Sequence, residues 1–256
     1  MNRLFNFNLA IKKANLMLFL LIFHFVTFAQ NYPSVKSILD KVDNNMSAKT
    51  RIITSKMEIA GSRGSRTMES KTWSEGDKRS FTEYLAPARE KGTKMLKLEN
   101  QLWIFSPATD RIMQISGHML RQSVMGSDLS YEDMMSDTPL LEKYKAEVTG
   151  DEMIEGSKCW VVMLTAIKED VNYHSQKMWV DAARYVPLKI ELFAKSGKLL
   201  KRTTLSDVEK IQGRWFPRTM IYKDMLKDGK GTKMMIVSIQ FDAVIPGSVL
   251  NKSNLK

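Results

Sequence analysis

From about residue 51 to residue 241 the apolar residues recur with a period of two, in short runs separated by turn residues. The runs are 51–60, 67–74, 80–85, 94–98, 102–105 and 111–116, then 146–154, 159–167, 176–181, 187–194, 199–211, 214–222 and 232–241. Between them stand turn signals such as Gly61-Ser62-Arg63-Gly64, Glu75-Gly76-Asp77, Glu99-Asn100, Glu155-Gly156-Ser157 and Gln212-Gly213. Roughly a dozen strands with short connections imply an antiparallel meander. A sheet this long curls or closes, because that limits its exposed edges. No strand–helix–strand alternation is present, which argues against a parallel sheet. The expected fold class is mainly β with a few helices (α+β).

Two segments break the rhythm. Val35, Ile38, Leu39, Val42 and Met46 follow helical spacing behind Pro33 and Ser34, which predicts a helix over Ser34–Ala48. The other is Ser116–Leu141, with Gly117, Gly126, Pro139 and a short helix expected near Asp128–Met135. Asp128 is the expected N-cap there, with Glu132 and Asp133 at the positive end of the helix. A connection of this length inside a compact β fold is usually functional or disordered. Met119, Leu120, Val124, Met125, Leu129, Met134 and Met135 make it too apolar for disorder.

The N-terminus has a positive stretch (Arg3, Lys12, Lys13), an apolar run over Ala14–Phe28 and small residues before a cut after Ala29. That is the pattern of a secretory signal peptide, and the run is short for the roughly 20 residues of a spanning helix. Residues 1–29 are therefore expected to be cleaved, leaving 30–256 as a single domain. No Cys follows the apolar run, so it is not a lipoprotein signal. Cys159 is the single Cys in the chain, which excludes an intrachain disulfide and a CxxC metal knuckle. Loss of the three basic residues of the leader lowers the formal charge from +11 to +8. The excess is spread along the chain and suits anionic surfaces such as lipid headgroups. The export signal argues against nucleic acid as a partner.

Several strands are apolar on both faces: Leu102 and Ile104 alternate with Trp103 and Phe105, and Val161 and Met163 with Trp160 and Val162. One face packs on a helix, and the other needs a second cover or a ligand; a thick core is the simpler reading of these strands alone. From the alternation, Leu96, Leu98, Trp103, Phe105, Met113 and Ile115 are the candidate inward residues. The chain has 18 Met, and Met113, Met119, Met125, Met134 and Met135 cluster in or beside the long segment. Such polarizable, adaptable side chains suit an apolar receptacle with a movable cover.

Catalytic patterns are sparse. His118, Ser123, Ser127 and Asp128 are the ingredients of nucleophilic hydrolysis, but no GxSxG elbow accompanies them. His118 with Asp128, Glu132 and Asp133 lacks metal-ligand spacing. No Gly-rich phosphate loop is present. The expectation is a protein that is not an enzyme and takes no cofactor.

Residues Ile115 to Met134, ISGHMLRQSVMGSDLSYEDM, form a long motif. With Tyr84–Thr93, Leu102–Pro107, Lys177–Asp181, Tyr185–Leu188 and Arg214–Pro217, it resembles the outer-membrane lipoprotein-sorting family, relatives of the LolA carrier. The resemblance covers nearly all of the mature chain. It implies an incomplete antiparallel β-barrel covered by an N-terminal helix and a helical loop. It also implies periplasmic transport of lipoprotein acyl chains or other lipids such as phospholipid, with an inner-membrane transporter and an outer-membrane acceptor as partners. On that reading Leu96, Leu98, Trp103, Phe105, Met113, Ile115, Met119, Leu120, Met125, Leu129, Tyr131 and Met134 line the cavity and lid. Arg89, Arg121, Asp128 and Glu132 are rim or loop-ordering groups, with Arg121 expected to pair with Asp128 or Glu132. Two alternatives stand beside the carrier: an envelope sensor or interaction module that docks exported polypeptides or a transporter, and an esterase using Ser123 or Ser127 with His118.

Overall fold

Every run of alternating residues becomes a strand. The structure, a computed structural model, describes residues 32–61, 64–135 and 139–256; the expected signal peptide and residues 62–63 of the first hairpin turn lie outside them. The strands are β1 (Thr50–Gly61), β2 (Gly64–Glu75), β3 (Arg79–Ala86), β4 (Lys94–Leu98), β5 (Gln101–Ser106), β6 (Arg111–Ile115) and β7 (Tyr144–Ile154). They continue with β8 (Ser157–Ala166), β9 (Ser175–Asp181), β10 (Pro187–Phe193), β11 (Leu199–Ile211), β12 (Arg214–Asp224) and β13 (Thr232–Phe241). All thirteen belong to one antiparallel sheet of order β6-β5-β4-β3-β2-β1-β13-β12-β11-β10-β9-β8-β7. It is a meander in two halves, joined where β1 pairs with β13. The edges, β6 and β7, do not pair with each other, so the sheet stays open as an incomplete barrel. The segment 116–143 joins those two edges.

The junction of the halves carries a β-bulge. The register shifts at Thr54/Ser55 of β1, where Thr54 pairs with Ser238 and Ser55 with Ile236, leaving Val237 unpaired. The extra residue lets Ile239 and Phe241 on one side, and Ile236 and Met234 on the other, share a face with Ile53 and Met57.

Helix α1 (Val35–Met46) falls within the predicted span. Ser34 caps it, accepting the Ser37 N–H at 3.2 Å. Its buried face is Ile38, Leu39 and Val42, and it packs on β12 and β7. Asn45 anchors its last turn, donating to the carbonyls of Arg184 and Tyr185 and accepting from the Trp215 N–H. Short 3-10 turns occupy Gly117–Arg121 and Val124–Gly126, followed by helices α2 (Tyr131–Met135) and α3 (Leu140–Lys143). Ser34–Lys256 is one compact unit.

The two faces of the sheet have separate cores. On one face Met57, Met68, Tyr84, Met95, Leu102, Ile104 and Ile115 pack with Val124 and Tyr131 of the 116–135 segment. On the other, Phe81, Leu96 and Trp103 pack with Leu250 and Leu255 of the C-terminal tail. The second greasy face therefore has a proteinaceous cover, the last residues of the chain. This corrects the inward assignment of Leu96, Leu98, Trp103 and Phe105. Leu96 pairs with Trp103 and Met95 with Ile104, and it is the Met95–Ile104 phase that faces the 116–135 segment. Leu98 and Phe105 join the tail-side cluster.

Candidate functional site

Between the concave face and the 116–135 segment lies a cavity of about 750 Å³. Its floor is built by alternate residues of the central strands: Ile53, Ser55 and Met57 of β1, Ser70 and Thr72 of β2, Tyr84 of β3, Met220 of β12 and Met234 of β13. Leu120, Val124, Leu129, Met134 and Met135 form the roof. Met46, the last residue of α1, also reaches it. At the β7–β11 end the wall turns polar, with Lys143, Tyr144, Tyr173, Gln176, Lys201 and Arg202. The size suits a small amphiphile or acyl chain.

The hydroxyls in the floor bond to each other across strands, Ser55 to Ser70 at 3.2 Å and Thr72 to Thr82 at 2.9 Å. Paired in this way they are cheap to bury and leave the floor without an unmet demand for water. Tyr84 and Tyr222 direct their hydroxyls at Met95 and Met220 sulfurs. Burial pushes the Tyr222 phenol up to about 12 and that of Tyr84 higher still, so both remain neutral.

Polar ties hold the roof on both halves of the sheet. Arg66 of β2 donates to the Met125 carbonyl. Lys97 of β4, buried, donates to the carbonyls of Asp77 at 2.6 Å and Met134 at 3.2 Å, the second a cation on the last turn of α2. On the other half, Asp128 accepts from the Thr232 hydroxyl at 3.0 Å and from the Asp224 N–H at 2.9 Å. Lys227 donates to the Ser123 hydroxyl at 2.7 Å and the Ser127 carbonyl at 3.1 Å.

Ser130, not Asp128, caps α2. Its Oγ accepts the Asp133 N–H at 3.3 Å while its own N–H reaches the Asp133 carboxylate at 2.8 Å, a reciprocal capping box. Lys201 of β11 and Tyr173 close on the same carboxylate, Tyr173 at 2.5 Å. Burial pushes the Asp133 carboxyl up, but the charge of Lys201 and the hydrogen bonds from Lys201, Tyr173 and Ser130 outweigh it and hold the group below the usual carboxylate range.

Leu120, Leu129, Met134, Asp128 and Glu132 thus line the cavity. Ile115, Met119, Met125 and Tyr131 belong to the packed layer beside it. Met113 shares a face with Ile104 but stands 45% exposed on edge strand β6. Arg89 is exposed in the β3–β4 connection, 3.9 Å from Glu90. Arg121 is also exposed, and among the described residues it forms no ion pair; the expected pairing with Asp128 or Glu132 is replaced by Thr232 and the Asp224 N–H for Asp128. The triad ingredients do not assemble: His118 is exposed, Ser123 takes a bond from Lys227, and the Ser127 hydroxyl bonds within its own turn to Leu129. The sequence reading missed the cations that hold the roof, Arg66, Lys97, Lys201 and Lys227, the floor methionines Met57, Met220 and Met234, and Met68 and Met95 in the packed layer beside them.

An open antiparallel sheet roofed by the segment that joins its edges defines the class: the protein has a LolA-like fold. A DUF1329 family protein from Desulfovibrio piger superposes with a TM-score of 0.77 at 24% identity, covering 88% of this chain and 100% of its own. A candidate outer membrane lipoprotein-sorting protein domain from Vibrio parahaemolyticus gives 0.73 at 24% identity, covering 86% and 97%. A LolA superfamily protein from Nitrosomonas europaea gives 0.68 at 23% identity, covering 87% and 100%. Residues 76–256 match the model of a family described as "Uncharacterized protein", and the chain belongs to that family. No curated protein matches the chain by sequence.

Proposed function

We propose that the protein is a periplasmic carrier that buries acyl chains of lipoproteins or other lipids and moves them toward the outer membrane. The cavity carries this reading: about 750 Å³ between a Met-rich floor and a roof that is separately stapled to the walls. The likeness of fold to a candidate lipoprotein-sorting domain supports it. Residues 1–29 are the export signal and 30–256 the carrier domain. Among the described residues no helix is long and apolar enough to cross a membrane. The role is binding, not catalysis, with an inner-membrane transporter as donor and an outer-membrane acceptor.

An incoming chain displaces the roof and lies along Met57, Met220 and Met234. Each buried methylene contributes roughly 0.8 kcal/mol, so about ten offset the loss of several roof hydrogen bonds at roughly 1 kcal/mol each. Native mass spectrometry of gently purified protein, and of protein incubated with phospholipid or an acylated lipoprotein, is the test. Bound mass equal to a lipid is the expected result. A protein that never carries or accepts lipid overturns the proposal.

A further inference from the structure

The Asp133 carboxylate sits in a site that would hold any anion. Four donors converge on it: the Tyr173 hydroxyl on Oδ1 at 2.5 Å, and the Ser130 N–H and Oγ, each at 2.8 Å, with Lys201 Nζ on Oδ2. Ser130 travels with Asp133 on the roof. Lys201 and Tyr173 belong to the wall. Among the described residues, Lys201–Asp133 is the one ion pair that ties the roof to the wall. The other ties end on backbone carbonyls, an amide N–H or hydroxyls. The pair also lies in the cavity lining, both side chains largely buried, with Arg202 and Lys143 at the same end.

A desolvated ion pair is a poor device for stability alone, since apolar contact of the same size would hold a lid as well. It is a good device for exchange. A second anion offers Lys201 and Tyr173 the same charge-assisted bonds and leaves Asp133 to water once the roof lifts. The Met-lined floor begins beside this corner, so a head held there directs its chain under the roof.

We propose that Lys201 and Tyr173 form the headgroup site of the cavity, that Asp133 fills it when the cavity is closed, and that the ligand is an anionic amphiphile whose head displaces Asp133. This rests on the carrier reading and narrows it to acyl chains bearing a phosphate or carboxylate.

The experiment is displacement of an uncharged fluorescent apolar probe from the purified mature chain. The competitors are oleoyl-lysophosphatidylglycerol, oleate, uncharged monoolein and inorganic phosphate. Both anionic amphiphiles are expected to bind about tenfold more tightly than monoolein, the weight of one charge-assisted hydrogen bond. If only one of the two does, that one identifies the head. Asp133→Asn, which leaves Lys201 free, should tighten the anionic amphiphiles further relative to monoolein. The double variant Lys201→Met/Asp133→Leu, checked as folded by circular dichroism, should bind both kinds equally. Equal binding by the wild type, or an anionic preference that survives the double variant, overturns the headgroup site while the carrier reading stands. Displacement by inorganic phosphate as effective as by the amphiphiles overturns the amphiphile and leaves a free-anion site. Failure of the probe and every lipid to bind overturns the carrier reading, and this site with it.

Discussion

Both faces of the sheet are covered by non-sheet segments, and the two covers are held by different physics. The C-terminal tail lies on its face through apolar contact: Leu250 and Leu255 against Phe81, Leu96 and Trp103, with Lys252 over the Trp103 ring at 4.6 Å. Its polar ties to the sheet include Arg79 to the Leu250 carbonyl, Lys94 to the Asn254 carbonyl, Thr50 to the Ala243 carbonyl and an exposed ion pair of Lys256 with Asp110. The 116–135 segment covers the other face through Val124 and Tyr131, packed against the β3–β6 side, and through polar ties around its margin, and it leaves a cavity beneath the rest. Close packing cannot be undone without exposing apolar surface; marginal polar ties exchange with water or with a ligand at small net cost. On the carrier reading proposed above, the tail is the permanent wall and the roof the removable one.

That contrast is broken most severely at the tail. Trp103→Ala should cost about 3–5 kcal/mol of folding stability, since a large buried ring is lost and the tail loses its seat. Urea unfolding measures this. Lipid binding by the protein that remains folded should be unchanged, because Trp103 does not line the cavity. A lipid defect equal to the stability defect would show that the two faces are coupled.

Next in size is Gly231→Ala, in the hairpin that presents Thr232 to Asp128. Gly231 has φ +90°, and an added Cβ would sit 2.4 Å from the Tyr222 carbonyl oxygen. A loss of about 2 kcal/mol is expected from the backbone conformation and the displaced strand. Limited proteolysis should then cut within 116–135 before anywhere else. Asp128→Ala removes the acceptor of both Thr232 and the Asp224 N–H and should cost about 1–2 kcal/mol, confined to the roof. Hydrogen exchange would report faster exchange in the roof with no change in the tail; uniform acceleration would contradict the separation.

Acid should loosen the roof and spare the tail. Asp133 is depressed in the folded protein, so the stability it adds is fully present above the ordinary carboxylate pKa of about 3.9 and is lost as pH falls through the lower folded value. Roof amides should therefore exchange with constant protection from about pH 7 to pH 5, and open below about pH 4. In Asp133→Asn that acid transition should vanish.

Much of this was legible beforehand. The strands, α1 and the roof segment follow from periodicity, because alternation and turn residues are local signals. Which phase faces which cover is not local. In β4 the sequence Lys94-Met95-Leu96-Lys97-Leu98 puts Leu96 and Leu98 in one phase and Met95 with Lys97 in the other. Lys94 stands in the first phase and Lys97 in the second, so the lysines do not tell which phase the roof covers. The structure buries Lys97 because two carbonyls, of Asp77 and Met134, satisfy it there. The partner 37 residues away that makes this affordable is invisible to pattern. Likewise the tail beyond residue 241 carries no period, yet Leu250 and Leu255 decide that Trp103 faces away from the cavity.

The smallest effect belongs to Arg121, the cation that the sequence put at the rim. It is exposed and, among the described residues, makes no ion pair, while Asp128 is already served by Thr232 and the Asp224 N–H. Arg121→Ala should therefore change stability by less than about 0.5 kcal/mol and leave roof exchange rates unaltered. The neighbouring ties set the scale for comparison: Lys227→Ala, which frees the Ser123 hydroxyl and the Ser127 carbonyl, should accelerate exchange in the same stretch. If Arg121→Ala loosens the roof as much as Lys227→Ala does, then charge along the roof, and not the specific ties at its margin, is what keeps it closed.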